Sequence, residues 1–233
     1  MAQRGFDSLV LKAMKAPDYE LTVLSTERVT EHYLRLRFEA GGLFDSHPPF
    51  PTQWVRLWVP LGGNKERQRG YTLIDAKPED DEVTIEFALH DGPAANWARD
   101  AQPGDTIAAT VMGSKFSTPS SDLTELHLFG DKASLPAINS ILDALGERTI
   151  KVWLHVQDAS DRDLPVRARE STQVTWVEGD DEALVDLAKT LDIPFNAYVW
   201  VSTKAPATRA LGKYFKNELK LPKDQIAALA YWR

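Results

Sequence analysis

Arg69, Tyr71 and Thr72 stand in an Arg-x-Tyr-Thr segment, RGYTL, which also supplies Gly70 and Leu73. A guanidinium two residues before an aromatic-hydroxyl pair can hold a phosphate while the ring covers a planar ligand and the hydroxyl reaches a ring nitrogen. Further on, His90 closes an alternating run and precedes Asp91-Gly92-Pro93, after which Ala94, Ala95, Asn96 and Trp97 continue in helix-forming residues. A Gly-Pro at a helix start leaves bare backbone N–H groups at the positive dipole end, which suits a pyrophosphate. Together these pieces point to a dinucleotide with a flat ring, and a flavin fits better than a nicotinamide. Each piece alone also has a plain structural explanation: a surface arginine in a strand, a histidine closing a strand, a tryptophan packed into a core.

Two other stretches carry chemistry. FGDKASLPAI, with Asp131 and Ser134, occupies a strand-to-helix turn, the usual ligand-facing edge of a parallel sheet. It is not a Gly-x-Gly-x-x-Gly fingerprint, since Gly130 is its only glycine. Between Lys204 and Lys223 six cations stand against the single anion Glu218, a local +5 in a chain of net charge −7. Arg209, Lys213, Lys216 and Lys220 fall on one face of a helix, with Leu211, Tyr214, Phe215 and Leu219 on the other. A solvated helix face explains this; the functional rival is attraction of an anionic ligand. Lys204 follows a strand end and precedes a helix, again at the ligand-facing edge.

The elements that must position these residues follow from periodicity. Apolar residues between Phe6 and Met14 predict a short N-terminal helix. From Tyr19 the period becomes two. YELTVLSTERVTEHYLRLRFEA gives two strands, and QWVRLWVPL, RGYTLIDA, DEVTIEFALH and DTIAATVMG give four more. The proline-rich GGLFDSHPPFPT and the turn GGNKERQ separate them, and one helix runs from Ala94 to Ala101. Six short strands and one helix suit a small closed antiparallel barrel. From Asp122 strands and helices alternate, which predicts a mostly parallel sheet with covering helices and a final strand over QIAALAYWR. Two domains are expected, residues 1–118 and 119–233, joined near KFSTPSSD.

Composition narrows the function. The chain has no cysteine, which excludes a disulfide, a cysteine nucleophile and a cysteine-ligated iron–sulfur cluster, so redox chemistry needs a borrowed cofactor. The net charge of −7 argues against general nucleic-acid binding. No apolar run approaches the roughly 20 residues of a membrane span, and MAQRGFDSLVLKAMKAP lacks a signal-peptide core, so a cytoplasmic location is expected.

RGYT followed by LHDGPAANWA and AQPGD resembles the siderophore-interacting proteins, flavin-dependent ferric-siderophore reductases within the ferredoxin reductase-like superfamily. The similarity continues in GDKASLPAINSILDAL, WVSTKAPATRALGKYF and the terminal AYWR, from about Tyr19 to Arg233. It implies a β-barrel that binds FAD followed by a Rossmann-like α/β domain of NAD(P)H-binding type. It places Arg69, Gly70, Tyr71, Thr72 and Leu73 along the flavin and His90 at its ring or pyrophosphate end. Gly92, Pro93, Ala94, Ala95 and Asn96 take the pyrophosphate, with Trp97 beside them, and Asp131 and Ser134 lie near flavin and nicotinamide. It assigns Lys204, Arg209, Lys216 and Lys220 to a ferric siderophore, with NAD(P)H or reduced ferredoxin as electron donor. No catalytic side chain is implied, since the flavin carries the chemistry, and a monomer without a resident metal is expected. Two departures stand out: Ile74 where many relatives carry an arginine, and Lys132 where the family has glutamate. Two other readings stay open, a general NAD(P)H–flavin oxidoreductase with another acceptor and a siderophore-binding protein without catalysis.

Overall fold

The computed structural model describes residues 18–63, 65–145 and 148–233, so the helix expected over Phe6–Met14 lies outside the described residues. The described chain divides between Lys115 and Phe116 into two compact units. In the first, seven strand segments form one antiparallel sheet: β1 (Asp18–Thr30), β2 (Tyr33–Glu39), β3 (Trp54–Pro60), β4 (Glu66–Thr72), β5 (Ile74–Lys77), β6 (Glu82–Ala88) and β7 (Thr106–Gly113). Their order is β4-β3-β7-β1-β2-β6-β5. RGYTLIDA, expected as one strand, is a bent one. Its first half pairs with β3 and its second with β6, and the chain breaks register at Leu73 and Asp75, which takes φ 49°. That bend joins the two ends of the sheet, so six strands close a barrel. Inward residues alternate along each strand: Leu34, Leu36 and Phe38 on β2, Val55, Leu57 and Val59 on β3, and Val83, Ile85 and Phe87 on β6, all buried.

GGNKERQ is not wholly a turn, because Glu66, Arg67 and Gln68 already pair with Pro60, Val59 and Trp58. GGLFDSHPPFPT contains one helical turn, α1 (Leu43–Ser46), where Leu43 and Phe44 find cover on the barrel core. The remaining helix is α2 (Pro93–Asp100), one residue earlier at each end than expected, with Ala94, Ala95 and Ala98 buried. Three alanines on one face let its backbone come close to the barrel core.

In the second unit β8 (Glu125–Asp131), β9 (Thr149–His155), β10 (Thr172–Val177), β11 (Ala197–Ser202) and β12 (Ile226–Ala228) form a parallel sheet of order β10-β9-β8-β11-β12. Helices α3 (Leu135–Leu145), α4 (Ala183–Thr190) and α5 (Ala205–Lys213) cover it. Strand order reverses between β8 and β11, which opens a crevice beyond their carboxyl ends, at Gly130-Asp131 and Ser202-Thr203. The expected last strand is shorter than QIAALAYWR. After Ala228 the chain keeps a ladder beside the end of β11 through Leu229 N–H to the Val201 carbonyl (3.0 Å) and Tyr231 N–H to the Thr203 carbonyl (3.1 Å). The helix expected through Lys220 ends at Lys213; residues 214–218 form one widened turn, with Leu219 N–H donating to the Tyr214 carbonyl (3.1 Å).

Candidate functional site

In the barrel, pairing decides which side chains share a face. Arg69 lies opposite Leu57 and Tyr71 opposite Val55, so the two project to the side that β3 buries. Tyr71 is half-buried against Phe87, ring centroids 4.5 Å apart, and Phe87 touches Trp97 at 6.4 Å. Trp97 also stacks on Phe38 at 6.4 Å and 10°. Trp97 thus packs against the barrel core and also lines an open depression. Burial pushes the Tyr71 phenol well up, against the pull of Arg69, so it stays protonated at neutral pH. Among the described residues no partner takes its hydroxyl. Arg69 is exposed and, among the described residues, donates only to its neighbour, the Gln68 carbonyl (2.8 Å). Thr72 and Leu73 are buried at the bend, Leu73 N–H donating to the Gln53 carbonyl (2.8 Å). Gly70 is exposed but close-packed: a Cβ there would stand 3.1 Å from the Trp54 ring. Ile74 is buried and pairs with Thr84, so its own side chain presents no charge or polar group to a ligand.

Gly92 precedes α2 with no side-chain cap, Pro93 has no N–H to satisfy, and the N–H groups of Ala94 and Ala95 are left bare at the positive end. The exposed His90 ring lies over Gly92, where a Cβ would come within 2.5 Å of its Cε1. Arg99 ties the loop to the helix, donating to the His90 carbonyl (3.0 Å) and to Asn96 Oδ1 (2.5 Å). Pro60, Leu61, Gly92, Pro93, Asn96 and Trp97 line an open depression of about 480 Å³. An aromatic surface, an unpaired guanidinium and an uncapped helix start fit the ring and diphosphate of FAD. Phe87 and Arg99 were not singled out from the sequence. Phe87 is readable as one more inward position of an alternating strand, and Arg99 as the residue one helical turn after Asn96.

The second unit places its expected residues differently. Asp131 and Ser134 have no exposed surface, so neither presents a side chain to a cofactor. Asp131 Oδ1 accepts from the N–H groups of Ala133 (3.0 Å) and Ser134 (3.2 Å); its Oδ2 accepts from Thr203 Oγ1 (2.6 Å) and Trp232 Nε1 (2.7 Å). Burial pushes this carboxyl up, while the four donors oppose that. Any effect of Asp131 on a ligand at the crevice runs through Thr203 and Trp232. Lys132 is buried in an ion-pair group with Asp158 and Asp161, so its charge is spent within the fold. Gly130 lets α3 approach β8; a Cβ there would meet Ser134 Oγ at 2.4 Å and Ile138 Cδ1 at 2.6 Å.

The basic cluster splits into two places. Lys204 stands at the residue before α5 without capping it through its side chain, pairs with Asp181 and holds its ammonium 5.2 Å from the centre of the Trp232 ring. Arg209 and Lys216, with Lys213, line a separate groove over Gly212 and Ala228. Lys220 is not on that face, because the widened turn shifts the register and Lys220 itself takes φ 55°. Trp232, 101 residues from Asp131, had no local signal in the sequence.

A model of the siderophore-interacting FAD-binding domain matches residues 19–113, and one of the siderophore-interacting protein family matches residues 123–233. The chain is 36% identical over 235 residues to the mycobactin import ATP-binding/permease protein IrtA of Mycolicibacterium smegmatis, covering 98% of this chain and 27% of that protein. It thus spans only about a quarter of that relative's length. It is 26% identical over 240 residues to the NADPH-dependent ferric-chelate reductase of Escherichia coli, covering 91% of this chain and 92% of that one. The crystal structure of the siderophore-interacting protein SipS from Aeromonas hydrophila superposes with a TM-score of 0.81 at 22% identity, over 94% of this chain and 92% of that chain. Barrel, sheet and both matched segments agree: this chain belongs to the siderophore-interacting proteins, with the ferredoxin reductase-like fold.

Proposed function

We propose that this chain is a flavin-dependent ferric-siderophore reductase. The observation that carries the reading is the barrel site, where the Tyr71 ring, the unpaired Arg69 and the bare N–H groups at the start of α2 match the ring and diphosphate of FAD. Residues 1–118 hold the flavin: Arg69 and the amides of Ala94 and Ala95 bind phosphate, Tyr71 covers the ring, and the turn from His90 to Asn96, tied by Arg99, keeps the amides aimed. Bound flavin supplies the conversion of a two-electron donor into single electrons for iron. Residues 119–233 receive the donor and the chelate. NAD(P)H is the favoured donor, in line with the ferric-chelate reductase of Escherichia coli, whose name specifies NADPH.

Siderophores hold Fe(III) through hard oxygen donors, and Fe(II) is held far less tightly, so one electron per iron releases it. The chain needs no acid or base at the metal; it needs to bring an anionic chelate near. Lys204 does this first, with Arg209 and Lys216 raising the local potential. The test is turnover with ferric siderophore and a ferrous trap, comparing holo and flavin-free protein: equal rates from the two would sink the reading. Among the described residues no helix is long and apolar enough to cross a membrane.

A further inference from the structure

Strand β4 carries a second guanidinium on the face of the motif arginine. Arg67 lies opposite Val59, Arg69 opposite Leu57 and Tyr71 opposite Val55, and all three β3 partners are fully buried. Opposed residues share a face, so Arg67, Arg69 and Tyr71 form a row at steps of about 7 Å. The other face of β4 is already closed. Arg56 Nη1 donates to Gln68 Oε1 (3.1 Å), and the Trp54 ring covers Gly70. On the row itself no described residue neutralises the charge. Arg67 and Arg69 are exposed, and among the described residues neither has a carboxylate partner.

The row also runs toward the uncapped helix. Pro60 and Leu61 line the depression together with residues of the 92–100 segment, the acidic Asp100 at its far end included. Val59, opposite Arg67, adjoins Pro60, whereas Leu57, opposite Arg69, lies two residues further back. Arg67 is therefore the guanidinium of the row whose β3 partner adjoins a residue lining the depression. Two exposed guanidiniums about 7 Å apart on one strand repel weakly through solvent, and an anion between them would attract both.

We propose that Arg67 is a second diphosphate-binding residue, an inference that rests on the flavin reading. Tyr71 meets the ring, Arg69 the phosphate on the ribityl side, and Arg67 the phosphate on the adenosine side, next to the start of α2. The chain would then discriminate FAD from FMN through Arg67, since FMN lacks the second phosphate.

The test is a flavin-fluorescence titration of the wild type, Arg67→Ala, Arg67→Lys and Arg69→Ala with FAD and with FMN. Loss of one charge-assisted hydrogen bond weakens binding by about tenfold or more. Arg67→Ala should lose that factor for FAD and keep its FMN affinity within about twofold, a result that also reports a folded barrel. Arg67→Lys should recover part of the FAD loss, and Arg69→Ala should weaken both flavins. Unchanged FAD affinity in Arg67→Ala, or equal losses for FAD and FMN, overturns the assignment. A wild type that binds neither flavin removes the flavin reading instead, which keeps the two failures distinct.

Discussion

Replacing Asp131 by asparagine keeps shape and volume but turns half of an acceptor into a donor. All four polar partners of Asp131 donate in the geometry described above, two to each oxygen. Whichever way the amide faces, its NH₂ confronts two of them, either the backbone pair Ala133 and Ser134 or the pair Thr203 and Trp232. A buried donor left without an acceptor costs about 1–3 kcal/mol. The amide can turn toward Thr203, whose hydroxyl can rotate and accept, so one of the two losses is partly recovered and the net expectation is about 2–4 kcal/mol. For a unit of this size that lowers the thermal midpoint by roughly 6–16 °C. Thermal and urea unfolding, followed by tryptophan fluorescence, measures it. Trp232→Phe removes one of the same bonds at about 1 kcal/mol. Asp131→Asn combined with Trp232→Phe should therefore cost less than the two changes summed. An Asp131→Asn loss below about 0.5 kcal/mol, within the range of an ordinary surface substitution, would refute the idea that this carboxylate pins the C-terminal tail.

Other consequences are simpler. Gly130→Ala should destabilise the second unit by about 1–3 kcal/mol in urea unfolding, because the new methyl overlaps Ser134 and Ile138. His127 is held below its usual pKa by burial, against the pull of Glu125; it accepts from Trp153 Nε1 (3.3 Å) and hydrogen-bonds Glu125 Oε1 (2.8 Å). A depressed folded pKa means its contribution is present above about 6.5 and lost as pH falls through the folded value, so His127→Gln should flatten stability across that window. Lys204→Ala should raise the KM for an anionic ferric chelate by about two- to fivefold, an effect that fades at high salt, because a half-exposed charge acts through solvent. A KM that ignores both the substitution and the salt would remove Lys204 from the chelate path.

Both architectures were legible because each rests on local period: alternating Leu34, Leu36 and Phe38 can only face one side of a barrel, and the helix over Leu135–Leu145 announces itself by its apolar face. What escaped was set by closure or by distance. The bend at Leu73 exists because one strand must reach both β3 and β6, a demand that no residue near it encodes. Arg67 passed for part of a turn, since GGNKERQ has turn composition while β3 draws its second half into the ladder. An ideal helix would carry Lys220 onto the basic face, but the widened turn after Lys213 interrupts it. The hydrogen bonding of buried Asp131 is completed by Trp232 returning from the far end of the chain, and Lys132 is paired with Asp158 and Asp161.

The most direct measurement is an anaerobic visible spectrum of the protein reconstituted with FAD, taken before and after NADH or NADPH and again after ferric siderophore with a ferrous trap. Binding of flavin, bleaching by the nicotinamide, and recovery of the band as ferrous complex appears is the predicted sequence. A band that no nicotinamide bleaches, but that chemical reduction bleaches and the chelate restores, would move the donor to reduced ferredoxin. Failure to take up FAD at all, or a reduced flavin that ferric siderophore leaves unchanged, would contradict the proposed reductase.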